Sequence, residues 1–303
     1  MRALLPTLGI LLTLLTAARA QEFSVRADAP ERAAAIERMV EKGLAKLTPH
    51  FPRMPVRPFT VVVHPDGDGL TPELRAAVHP GTAGFARLEA QEIHLMLAEA
   101  RRAPPNDLQT VVEHELVHLL LHQFAGPGGP HVPRWFHEGL AQALSGGPYL
   151  GISEEALVYR IWSNSLIPFR ALVEDFPRDD EGELQAAYGQ SFSFVSYLWR
   201  EIGLEVLLAA ARECSAERPF AAAVAVRMER GLVQYEDAWR EHVLHASGAL
   251  WRILLRESFT YLMLLAVPIA ILALLRKLAR ERRIRARLDA LDAPPLPRED
   301  PAP

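Results

Sequence analysis

Apolar positions recur at helical spacing in some stretches of the chain and alternate in others. Over Pro30–Leu47 they fall at Ala33, Ile36, Val40, Leu44 and Leu47, the spacing of an amphipathic helix. Residues 59–63 form a largely β-branched run closed by His64-Pro65-Asp66-Gly67, which predicts a strand and a turn. In residues 90–97, Ile93, Leu95 and Leu97 alternate with Glu92, His94 and Met96, as in a half-buried strand. Pro104-Pro105-Asn106 then interrupts the pattern. Asn106 with Gln109 three residues later reads as the capping box of a helix that runs to about Phe124. A Gly/Pro loop over 125–133 leads to a second helix, starting near Arg134 and stopped by Ser145-Gly146-Gly147-Pro148. From Ser153 onward every stretch reads as helix: 154–163, 169–176, 184–202, 204–213, 220–230 and 235–244. The pattern predicts an α+β fold, with a small sheet first, a helical layer next and a mostly helical C-terminal half.

Two apolar runs lie outside this pattern. The first starts with Met1 and Arg2, continues through residues 4–15 and reaches Ala18-Arg19-Ala20, which has the form of a signal peptide over residues 1–20. The second, residues 258–275, carries no charge and at 1.5 Å per residue spans roughly 27 Å, close to the hydrocarbon thickness of a bilayer. With its flanks it predicts a transmembrane helix over 256–276, and Pro268 inside it is tolerated in such helices. The run ends in seven basic residues against one acid, Glu281, between Arg276 and Arg287. Basic residues of this kind mark the cytoplasmic side, so residues 21–250 are expected outside the cytoplasm and the basic, Pro-rich segment 277–303 inside. The tail after Arg287, with five prolines, is expected to be disordered.

Charge and cysteine usage narrow the chemistry. A net charge of −4 is too small to imply a nucleic-acid partner, and none is expected; outside the basic cluster the chain is acidic. The lone Cys214 permits neither an internal disulfide nor a cysteine-based zinc site.

Histidines and acids remain, and one pentapeptide stands out: His114-Glu115-Leu116-Val117-His118. Residues four apart share a helix face, so both imidazoles can meet one Zn2+ ion. Glu115, turned about 100° from His114, is near enough to act as a base on water without being a ligand. A catalytic zinc needs a third protein ligand. A third histidine at position 124 is ruled out by Phe124, and Leu121 stands where that pattern needs glycine. Glu138, in Trp135-Phe136-His137-Glu138-Gly139-Leu140-Ala141, is the expected ligand, with His131 and His137 as competing donors.

These two motifs, with a later Tyr188-Gly189 and the aromatic-rich helix after it, resemble the gluzincin metallopeptidases, most nearly the peptidase-MA-like group. The resemblance covers roughly residues 59–244. It implies a mixed sheet beside the zinc helix, whose edge strand aligns an extended polypeptide substrate; by position, residues 90–97 would be that strand. It further implies that Tyr188 donates a hydrogen bond to the oxyanion and that Gln142 orients a zinc histidine. The Gly-x-Met-Glu-Asn stretch of zinc aminopeptidases is missing, since residues 84–89 read Gly-Phe-Ala-Arg-Leu-Glu. Endopeptidase action at the outer membrane face is therefore the expectation. The alternative is a membrane-tethered binding or scaffold module with a structural or vestigial zinc site.

Overall fold

The computed structural model describes residues 23–52, 54–79, 81–102, 107–146, 151–246 and 248–291. The expected signal peptide, Asn106 and the last twelve residues of the tail lie outside the described residues. The described residues up to 246 form one compact unit and those from 248 to 291 a second.

In the first unit, β1 (Phe23–Arg26) leads to α1 (Pro30–Leu47), β2 (Phe59–His64), the short α2 (Pro72–Ala77), β3 (Gly84–Arg87), β4 (Glu92–Met96) and the short α3 (Leu97–Arg102). The sheet order is β1-β2-β4-β3, with β3 antiparallel to β4 and the other pairs parallel. The sheet is therefore mixed and the fold α+β. Register pairs Val61 with Ile93 and Ile93 with Ala86, and Val63 with Leu95 and Leu95 with Gly84. These residues share one face, and Val61, Val63, Ile93 and Leu95 are buried on it.

The edge strand differs from expectation. Residues 90–97 do not form the edge: β4 lies between β2 and β3, and β3 is the free edge on that side. Alternation revealed that a strand exists there, but its place in the sheet depends on pairing with residues that the local pattern does not encode. The second face of β4 is also buried, since Phe85 stacks on His94 at 4.7 Å and 4° and His64 stacks on its ring at 5.3 Å.

Next comes α4 (Leu108–Ala125), capped by Asp107, whose carboxylate accepts from Gln109 N and Thr110 Oγ1. The cap is thus Asp107 rather than Asn106. From Val111 onward α4 is buried on nearly every side. A β-carbon on Gly43 would lie 2.7 Å from Leu116 Cδ1, so α1 crosses α4 closely. Lys46 of α1 pairs with the buried Glu113 at 2.5 Å and donates to Ser145 O at 3.1 Å. The Gly/Pro stretch forms a 3-10 segment over Gly126–His131. Its Gly128 packs against the carbonyls of Ala211, Arg212 and Cys214, which pins the segment down.

The helical half contains α5 (Arg134–Ser145), α6 (Glu154–Trp162), α7 (Glu181–Ile202), α8 (Leu204–Glu213), α9 (Phe220–Arg227) and α10 (Leu232–Ala246). The helix expected over 169–176 is only a 3-10 turn, Phe169–Leu172. Pro177 disfavours helical backbone at Phe176, whose N–H is taken by the Asp175 side chain. Trp135, Phe169, Phe194 and Trp239 pack together as the aromatic core of this half.

The second unit contains one helix, α11 (Ala249–Leu291), so helix continues four residues past Arg287. Its Thr260–Arg287 stretch is long and apolar enough to cross a membrane, and its large apolar side chains are exposed.

Candidate metal centre

Two adjacent helices build the centre. α4 presents His114 and His118 one turn apart, and α5 returns beside it to present Glu138. Close approach of α5 to α7 holds this arrangement, because Gly139 sits where a β-carbon would be 2.4 Å from Ser191 O.

The three ligand atoms converge. His114 Nε2 and His118 Nε2 are 3.2 Å apart, and Glu138 Oε2 lies 3.4 Å from each. Ligands at about 2.0–2.1 Å from a tetrahedral zinc stand about 3.3–3.4 Å from one another, so this triangle fits such an ion. Glu138 Oε2 is buried with no hydrogen-bond partner at ordinary geometry, as expected of an atom reserved for a cation. Among the described residues this is the one group of three such side chains able to hold a metal ion. His131 is exposed and outside it. His137 is buried, its ring 5.7 Å from that of His118; burial, then the charge of His118, pulls it down to about 3 and keeps it neutral.

The charges around the trio follow from burial and mutual attraction. Burial pushes the Glu138 carboxyl up, but His118, His114 and Arg134 outweigh it and hold it well below the usual carboxylate range. Burial lowers His118, yet Glu138 and Glu115 leave it raised. Glu115 is raised by burial against the opposing charges of His114 and His118, a shift that suits a proton acceptor. Its carboxylate lies against β3, where a β-carbon on Gly84 would be 3.0 Å from Glu115 Cγ and 3.3 Å from Oε1. The edge strand therefore runs directly beside this acid.

Tyr188 of α7 lies near the centre. Burial and the charge of Glu138 push its hydroxyl up, against the opposing charge of Arg134. Gln142, expected to orient a zinc histidine, instead donates to Tyr188 O at 3.4 Å, because α7 packs against that side of α5. His122 continues the histidine face but points elsewhere, its Nε2 3.7 Å from Glu89 Oε1. Sequence reasoning passed over Gly84 and Arg134. The four-residue spacing of Arg134 and Glu138 was a signal for the second; nothing local signalled the first.

Two histidines and a glutamate on a helix pair, with a second glutamate beside them, form a cluster that could hold a metal ion. Residues 96–245 match the family model of the peptidase MA superfamily, and the domain carrying this centre belongs to that superfamily. No curated protein and no solved structure matches the chain.

Proposed function

We propose that this protein is a zinc-dependent endopeptidase, anchored by α11 with residues 21–250 on the outer side of a cytoplasmic membrane. The observation that carries the reading is the triangle of His114 Nε2, His118 Nε2 and Glu138 Oε2, with Glu115 beside it and not in it. A structural zinc site has no use for that second, buried acid.

His114, His118 and Glu138 would hold the ion, which supplies a Lewis acid that polarises the scissile carbonyl and acidifies water. Glu115 takes the proton from the attacking water and returns it to the leaving amine, a role favoured by its raised proton affinity. Tyr188 donates a hydrogen bond to the oxyanion as the carbonyl becomes tetrahedral. The free edge of β3 pairs with the substrate backbone as an added strand and lays the scissile bond beside Glu115. Backbone pairing along that edge accommodates chain on both sides of the cut, which favours internal cleavage.

The anchoring reading rests on the apolar stretch of α11 and the basic cluster after it. The test of the chemistry uses the full chain in detergent, with an unfolded polypeptide as substrate. Glu115→Gln is expected to retain one zinc per chain while turnover falls about 10²–10⁴-fold. Wild-type turnover by that variant would overturn the role of Glu115. Bound zinc in the wild type with no hydrolysis of any polypeptide would favour the scaffold alternative.

A further inference from the structure

The two oxygens of Glu138 are in different situations. Oε2 faces both imidazoles, whereas Oε1 lies 3.2 Å from Arg134 Nη2. Arg134 is the first residue of α5, one turn before Glu138. Helix stability does not account for it. A cation in the first turn opposes the helix dipole, and arginine preceding glutamate by four is the less favourable order. Its second acidic neighbour, Asp175, is 3.9 Å away and already paired with Arg178 at 2.6 Å.

The same guanidinium lies 5.8 Å from the centroid of the Phe176 ring, which packs edge-on to the Tyr188 ring at 5.0 Å.

We propose that Arg134 is a positioning residue of the metal centre: it occupies Glu138 Oε1, so that Oε2 alone meets the ion. Ligation through one oxygen keeps a coordination position open, which hydrolysis requires and a structural site does not. The inference deepens the proposed zinc reading and rests on it.

The test uses full-length wild type, Arg134→Gln and Arg134→Lys in detergent. Chelator competition is expected to show zinc affinity of Arg134→Gln lowered about 10–100-fold. With cobalt in place of zinc, its visible absorption is expected to weaken, as the freed carboxylate ligates through both oxygens and raises the coordination number. Turnover should fall in kcat with little change in KM. Arg134→Lys keeps the charge without the planar fork, and is expected to recover part of the affinity but not kcat. Wild-type affinity and an unaltered cobalt spectrum in Arg134→Gln would overturn the inference while leaving the zinc reading intact. Should that variant not fold, an unaltered spectrum and kcat in Arg134→Lys overturn it equally. Wild type that binds no zinc sinks the metal reading and this inference with it.

Discussion

At Gly84, a β-carbon would lie 2.9 Å from Val111 Cγ1 and 3.0 Å from Glu115 Cγ, both inside normal contact. Strand β3 and helix α4 therefore meet across a glycine at the one place where the proposed base needs room. Gly84→Ala must push either the strand outward or the Glu115 carboxylate aside, and the side chain is the softer of the two. Because a displacement near 1 Å in a reacting group costs about a hundredfold, kcat is expected to fall by about that factor. Zinc content should not change, since no metal-binding side chain is among the nearest atoms to Gly84. Steady-state kinetics beside metal analysis checks this; unchanged kcat would show that Glu115 accommodates the methyl. At this scale the sequence discloses unevenly. His114, Glu115 and His118 are legible because helical geometry alone relates them. Gly84 is not, because its neighbour across the gap is 31 positions away and arrives only when the sheet packs on α4.

Among elements, the α5–α7 contact carries the most weight, because α5 brings Glu138 to the histidines. A β-carbon on Gly139 would meet Ser191 O at 2.4 Å and Val195 Cγ2 at 2.6 Å, so Gly139→Ala cannot be absorbed by a flexible side chain alone. Overpacking of this kind costs about 1–3 kcal/mol, and the strain falls on the residue next to Glu138. Melting curves with and without zinc should show a lower Tm in both cases and a smaller zinc-induced rise than in wild type. An undiminished zinc response would mean that α5 shifts without moving the carboxylate. The longer helices were legible because their apolar stripes repeat over several turns; α1, α5 and α8 begin and end where periodicity and caps placed them. The four-residue strands β1 and β3 are too short to establish alternation. Missing β3 is also what led to residues 90–97 being taken as the edge, since a strand looks like an edge when its outer neighbour is invisible.

For the whole molecule, the proposed orientation makes a separate claim from the chemistry. Thr260–Arg287 presents large apolar side chains to its surroundings, with Leu262, Leu264 and Leu265 each about two-thirds exposed, a surface that water disfavours and hydrocarbon accepts. The basic residues after position 275 resist transfer across the bilayer, so they should stay on the cytoplasmic side while the metal-bearing unit lies opposite. In sealed, right-side-out membrane vesicles, added trypsin is expected to degrade the first unit and spare the Arg276–Arg287 cluster until detergent is added. The reverse protection pattern would put the peptidase domain in the cytoplasm. Exchanging the cluster's seven basic residues for glutamine should weaken this preference and yield a mixed population, detectable as partial protection of both ends. Zinc binding by the detergent-solubilised chain should be the same before and after that exchange, since all three proposed ligands lie in the other unit.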